Sequence, residues 1–273
     1  MFNDRLKLSK YRFMLEAMEK ITLPSYKGST FHGGFGHALM QISPIWYRYF
    51  FEPGLGKKGD WPKPFVILPP LDVLESYPKG YQFHCDLTLF GEATQHYAIA
   101  QAAIEYLGTN MGLGYEQGKY KIVDIVHSQP SDRMLQHNNQ ITLHLPTRLR
   151  LKSKNRLYKR TPAFQLIMER LLGRLKTLEK IYMDKEMDDY QALITCAKDI
   201  KIKNSNIQWD EWERFSGSQK KWMKYGGLVG SVSYSGDVQP FLEVLKMGEW
   251  LHIGGKTSFG LGKYVLEIEG SKL

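Results

Sequence analysis

Three groups of residues in this 273-residue chain have types that could do chemistry. The first is a run of cations. Arg148, Arg150, Lys152, Lys154 and Arg156 fall on every second residue, Lys159 and Arg160 follow, and no acid occurs between Asp132 and Glu169. Alternate side chains of a strand share a face. Five such cations would project together over roughly 26 Å at about 3.3 Å per residue. That row suits a phosphate backbone, with binding that falls steeply as salt rises. The competing reading is a solvated edge strand whose charge resists aggregation. The second group is the loop Gly254-Gly255-Lys256-Thr257-Ser258, running on through Phe259 to Gly260-Leu261-Gly262. Its glycines permit positive φ and close backbone approach. Successive N–H groups, the Lys256 ammonium and the two hydroxyls would cradle a phosphate. A structural turn that packs Phe259 and Leu261 is compatible with that role. The third group is the eight histidines, none paired at a usual metal-ligand spacing.

Other chemistries find no support. Gly54-Leu-Gly56-Lys-Lys-Gly59 fits a dinucleotide fingerprint, but Asp60-Trp-Pro62-Lys-Pro64 follows and cannot open the required helix. Gly255-Lys256-Thr257 ends like a phosphate-binding P-loop, yet the glycine needed five positions earlier is Trp250. There is no HExxH and no GxSxG. Cys85 and Cys196 lie far apart without a CxxC, which points to a reduced cytoplasmic protein. No signal-peptide core opens the chain, and no apolar run of about 18 residues predicts a membrane span. With 42% hydrophobic and 24% charged residues the chain is expected to be globular. Its net charge of +9 favours a polyanionic partner over a neutral one, unless the surplus is merely scattered. No cofactor is expected.

The elements that would position these groups follow from periodicity. Lys10 to Glu19 alternates as a strand, and Phe31 to about Ile42 reads as a helix limited by Pro44. Pro53 to Pro64 reads as a loop, Phe65 to Leu68 and Tyr81 to Phe90 as strands. Thr94 to Leu107 has helical spacing with Gly108 as its stop, and Lys119 to Val126 alternates as a strand. The order strand, helix, strand, strand, helix, strand is that of a ferredoxin-like domain. The second half repeats it. Gln140 to Leu151 is a strand. Thr161 is the N-cap and Pro162 the first residue of a helix carrying Phe164, Ile167, Met168, Leu171, Leu172, Leu175 and Leu178. Ile200 to Trp209 and Gly226 to Tyr234 are strands, Asp237 caps a helix, and Tyr264 to Ile268 closes the sheet. The expected fold class is therefore α+β, two tandem ferredoxin-like (RRM-like) βαββαβ domains over 1–133 and 134–273. The boundary is placed in the polar segment from Ser128 to Gln140.

Against that layout the sequence resembles the CRISPR-associated endoribonucleases that process precursor guide RNA, within the repeat-associated RAMP superfamily. The family's C-terminal signature is Gly-apolar-Gly, five residues, Gly-apolar-Gly. Here it aligns as His252-Ile253-Gly254, five residues, Gly260-Leu261-Gly262, with His in place of the first Gly. Three further stretches are similar: Tyr26 to Leu39, Arg214 to Gln219, and Gly226 to Gly230. The resemblance covers nearly the whole chain. It implies tandem ferredoxin-like domains, CRISPR repeat RNA as substrate, other effector subunits as further partners, and metal-independent cleavage giving a 2′,3′-cyclic phosphate and a 5′-hydroxyl.

Such cleavage needs a base for the 2′-OH, an acid for the leaving 5′-oxygen and cations for the charged transition state. The resemblance places a catalytic histidine in or near the first helix, which makes His37 the leading candidate. Near a helix N-terminus it would be held neutral, and phosphate would be attracted to the same end. Gly36 and Ala38 beside it would leave room for substrate. His32 is the competitor as a catalytic residue or a phosphate contact, and Tyr47 and Arg48 are candidate assistants. The RNA-binding set is Arg148, Arg150, Lys152, Lys154, Arg156, Lys159, Arg160 and the loop Gly254 to Ser258. His252 is ambiguous between loop structure and RNA contact, and the remaining histidines read as structural or surface. A non-catalytic RNA-binding subunit of an effector complex is the alternative function.

Overall fold

The computed structural model describes residues 6–54, 61–130, 139–153, 156–183, 190–216 and 221–269. The first half runs β1 (Leu8–Ala17), β2 (Ile21–Thr22), α1 (Gly28–Ile42), α2 (Pro44–Phe51), β3 (Phe65–Leu68), β4 (Ser76–Tyr77), β5 (Gln82–Phe90), α3 (Tyr97–Tyr106) and β6 (Tyr120–Ser128). The second runs β7 (Gln140–Leu149), β8 (Lys152–Ser153), β9 (Arg156–Leu157), α4 (Phe164–Tyr182), α5 (Gln191–Cys196), β10 (Lys201–Asp210), β11 (Glu213–Ser216), β12 (Lys221–Lys224), β13 (Gly227–Ser235), α6 (Leu242–Leu251) and β14 (Val265–Ile268).

The two four-stranded sheets have the orders β3-β5-β1-β6 and β10-β13-β7-β14. Each half puts its first long strand between its third and fourth, with its second at the far edge, and every pairing is antiparallel. This is the ferredoxin-like arrangement, twice. On β1, Phe13 sits opposite both Cys85 and Ile125. On β7, Ile141 sits opposite Tyr234 and Ile268. The alternation on β1 buries Tyr11, Phe13 and Leu15 beneath the helices and leaves Lys10 and Arg12 on the other face.

Each half has its own core, and the two cores meet. Leu6, Leu8, Val66 and Phe90 pack into the cluster built on α4 and α6. Across the same seam Tyr182 OH donates to the Pro62 carbonyl at 2.7 Å. The boundary expected at 133 lies outside the described residues.

Several local expectations are corrected. α1 begins at Gly28, three residues before the expected start, so His37 is the tenth of its 15 residues and not near its N-terminus. The helix-end argument for His37 therefore lapses, because end effects fade within the first turn. Gly108 does not stop α3: the chain continues as a wider turn over Leu107–Met111 and ends at Gly112, where φ is +82°. Thr161 does not cap α4. The helix starts at Phe164 after Ala163, and the Thr161 hydroxyl bonds Ser205 at 2.7 Å. Asp237 does not cap its helix either; the entry is a short 3-10 turn, Gln239–Phe241, flanked by Val238 without a side-chain cap. The extended cation strand fails most clearly. β7 ends at Leu149, and β8 and β9 pair with each other as a hairpin, Lys152 opposite Leu157 and Ser153 opposite Arg156. Arg148, Arg150, Lys152 and Arg156 thus form no continuous row, and Lys154 lies outside the described residues.

Candidate active site and RNA-facing surface

α1 is a helix made by its surroundings. Its buried stripe is Phe31, Phe35, Ala38 and Leu39, set on the sheet with Phe35 5.3 Å from the ring of Phe65. The glycines let neighbours come close. A Cβ on Gly36 would stand 2.8 Å from the Phe51 ring of α2, and one on Gly34 2.7 Å from Leu107. The space expected for substrate beside His37 at Gly36 and Ala38 is thus filled by protein. The open position is Gly33, with nothing within 4 Å of its Cβ direction. It lies one turn before His37 on the same face.

His37 is exposed, with no hydrogen bond or ion pair to a described residue. His32 is buried. Five helical residues turn about 140° and rise about 7.5 Å, so the two histidines cannot share a face. His32 stacks on Phe259 at 3.7 Å, and its Nε2 lies 3.2 Å from Ser258 Oγ. Of the proposed assistants, Tyr47 is half-buried and stacked on Phe51 at 5.2 Å, and Arg48 is exposed.

The glycine-rich loop has two sides. Gly255 and Lys256 are exposed, whereas Thr257 and Ser258 are buried, and the Ser258 hydroxyl meets His32 and not a phosphate. Gly254, at φ +86°, presses so close to the Arg150 carbonyl that a Cβ would lie 2.4 Å from it. Gly262 has φ +72°, and its N–H donates to the Arg148 carbonyl at 3.1 Å. The departure from the family signature also has a physical meaning. His252 has φ +58° and ψ 162°, a conformation that glycine adopts without penalty and other residues rarely do. Its imidazole is buried, with Nδ1 3.2 Å from the Leu261 carbonyl. Burial, then the nearby Lys263 charge, pulls its pKa well below the ordinary value. His252 therefore belongs to the loop's structure.

The cations divide in the same way. Arg148 pairs with Asp210 at 2.6 Å and lies against the rings of Tyr26 and Trp212, at 5.5 and 5.3 Å. Arg150 donates to the Gly226 carbonyl and lies over Tyr225. These two hold an aromatic junction of Tyr26, Trp212 and Tyr225. Lys152, Arg156, Lys159 and Arg160 are exposed, with Lys159 4.5 Å from the Trp209 ring. Lys201 and Lys203 of edge strand β10 add to them.

Two features escaped sequence reasoning. The first is the β11–β12 hairpin, with Glu213 opposite Lys224 and Ser216 opposite Lys221. Its four-residue strands are too short for alternation to register. The second is a cleft of about 580 Å³ between the two sheets, lined by Lys10, Arg12, His84, Asp86, Glu249 and Lys263 among others. Arg12 makes a two-pronged pair with Asp86 at 2.7 and 3.0 Å. Burial pulls Lys263 down to about 8, and its Nζ donates to the Glu249 carbonyl at 2.7 Å. The alternation of Lys10 and Arg12 with Tyr11 and Phe13 was the available signal. Among the described residues no three His, Cys, Asp or Glu side chains gather as a metal site, and no helix is long and apolar enough to cross a membrane.

Family profiles match two overlapping stretches of the chain. Residues 6–148 match a family profile described as an N-terminal domain, and residues 141–264 match the profile of the CRISPR-associated endoribonuclease Cas6. No curated protein sequence matches the chain significantly. Among solved structures, a Cas6 product complex (TTHB231) superposes with a TM-score of 0.68 at 16% identity, covering 95% of this chain and 100% of that one. The Thermus thermophilus Cas6 (TTHB231) gives 0.61 at 15%, covering 96% and 99%. A partial Cas6-RT-Cas1–Cas2 complex gives 0.67 at 14%, covering 98% of this chain and 47% of the other. At these identities the superpositions speak for the fold, and the sequence profile ties residues 141–264, a little under half of the chain, to the CRISPR-associated endoribonuclease Cas6.

Proposed function

We propose that the protein cuts CRISPR repeat RNA within precursor guide transcripts, in the cytoplasm, by metal-independent transesterification. The ribose 2′-oxygen bonds to the adjacent phosphorus as the bond from phosphorus to the 5′-oxygen breaks. The 2′-OH proton passes to a base, and the departing 5′-oxygen takes a proton from an acid. The products are a 2′,3′-cyclic phosphate and a 5′-hydroxyl. His37 serves as base or acid. Lys256 and the backbone at Gly255 meet the phosphate, while Lys152, Arg156, Lys159 and Arg160 track the flanking backbone. The halves 1–133 and 134–273 divide these tasks, the first carrying the histidine and the second the cations and the loop.

One observation carries this reading: an exposed histidine stands on the helix that the glycine-rich loop clasps. Histidine suits proton transfer near neutral pH as a residue type. The alternative, an RNA-binding subunit without cleavage, draws on the absence of a described hydrogen-bond partner for His37. Cleavage of the host's repeat RNA in EDTA, wild type beside His37→Ala, decides between them. The expected result is one cut with a 5′-hydroxyl, slowed about 10²–10⁴-fold in the variant while RNA binding persists. Tight binding without a cut in the wild type supports the binding subunit. Protein partners are tested by co-purification, since one similar chain was solved in a complex named for Cas1 and Cas2.

A further inference from the structure

His32 is buried where the two halves meet, and it is one of three residues that seat the start of α1 on the glycine-rich loop. Its ring stacks on Phe259, with planes 15° apart, and its Nε2 reaches Ser258 Oγ. Tyr26 OH donates to the Phe259 carbonyl at 2.7 Å. Gly28 admits that same carbonyl so closely that a Cβ would stand 2.2 Å from it. The loop side of the clasp is a single tight turn, Thr257–Phe259, bracketed by left-handed Lys256 and Gly260. Its outer rim is Gly255 and Lys256, which face solvent. A turn this short couples its two sides: the rim moves only if the residues gripping α1 move with it.

We propose that His32 is a positioning residue for RNA cleavage. Through Ser258 and Phe259 it fixes the helix carrying His37 against the loop rim that receives the phosphate. The proposal rests on the endoribonuclease reading above. An imidazole meets both demands of the place, a flat ring for Phe259 and a nitrogen for the Ser258 hydroxyl. Phenylalanine would keep the first and lose the second. Small misplacements of reacting groups are costly, with about 1 Å worth about 10²-fold in rate.

The test is single-turnover cleavage of the host's repeat RNA at saturating enzyme, with the RNA Kd measured alongside. The proteins are wild type, His32→Phe, Ser258→Ala and the double variant. Each single change is expected to slow cleavage about 10–100-fold, leave Kd within about twofold, and keep the shape of the pH–rate profile. The double variant should be no slower than the slower single one, because both changes break one linkage. A lost limb of the pH profile in His32→Phe, with Ser258→Ala at full rate, overturns the proposal and makes His32 a catalytic residue. Weakened RNA binding with an unchanged rate at saturation overturns it too, as does a full rate in both variants. If His32→Phe does not fold, Ser258→Ala, which removes one oxygen, decides by the same criteria. A wild type that binds without cutting removes the functional reading and this proposal together; cutting indifferent to either substitution removes the proposal alone.

Discussion

α1 and α4 occupy equivalent places, each following the first long strand of its half, yet they are stabilised in opposite ways. α4 carries its own reason to be a helix. Its 19 residues bury Phe164, Ile167, Met168, Leu171, Leu172, Leu175 and Leu178 at steps of three and four, and each such burial is worth about 1.5–3 kcal/mol. Besides Gly28 at its first position, α1 has Gly33, Gly34 and Gly36 in its interior, each costing about 1 kcal/mol of helix propensity relative to alanine. It persists because α2, Leu107 and the loop of the other half close around it. The difference separates a scaffold from a working element. A helix held by its neighbours can be placed by them, and on the proposed reading its free face is where the RNA approaches.

The largest effects should expose that difference directly. Leu175→Ala in α4 is expected to cost about 3 kcal/mol and leave the single-turnover cleavage rate unchanged below the melting transition. Gly28→Ala in α1 is expected to cost about 2 kcal/mol, since its methyl would meet the Phe259 carbonyl and the Tyr26 ring. It should also lower the cleavage rate while the protein is still folded. Denaturant melts paired with cleavage assays check both. Equal loss of activity per kcal/mol in the two variants would break the comparison.

A smaller effect follows from the loop on which α1 leans. The buried His252 has its pKa pulled below the ordinary value, by burial first and by the Lys263 charge next. The unfolded chain therefore takes up the proton first as pH falls below about 6.5. Stability present above that pH is lost on the way down, by up to about 1.4 kcal/mol per pH unit, until the folded-state value is reached. Between pH 6.5 and 5.5, hydrogen exchange in α1 should quicken before that in α4. His252→Asn should flatten the wild-type slope of stability in that window. A slope unchanged by the substitution would assign the acid sensitivity to other groups.

The same contrast decides what was legible in the sequence. Both sheets and α4 announce themselves, because alternation on β1 or the heptad-like run from Phe164 to Leu178 is a local record of burial. The start of α1 is hidden in the sequence because Gly28 and its neighbours look like loop, and the Phe259 carbonyl that Tyr26 and Gly28 meet is 233 residues from Tyr26. The cation run is ambiguous for a related reason: alternate charges describe a strand that continues and one that folds back equally well. Among the site residues, His37, Gly255 and Lys256 are exposed. His32 and Ser258 have chemistry suited to a phosphate, yet their side chains meet each other inside the protein. Nothing local distinguishes a hydroxyl that waits for phosphate from one that holds a helix.

The finest test uses the one glycine in each helix that has room. Gly33 in α1 and Gly173 in α4 have nothing within 4 Å of their Cβ directions. Alanine at either should raise stability by about 0.5–1 kcal/mol, through helix propensity and a less flexible unfolded chain. The functional consequences should differ. Gly173 sits on a scaffold helix, so Gly173→Ala should cleave RNA at the wild-type rate. Gly33 lies on the face of His37, and a methyl there narrows the approach to it. Gly33→Ala should therefore melt later and cleave more slowly, a gain in stability with a loss of rate. If both variants melt later and cleave equally well, the open face of α1 is spare surface, and RNA reaches His37 from another side.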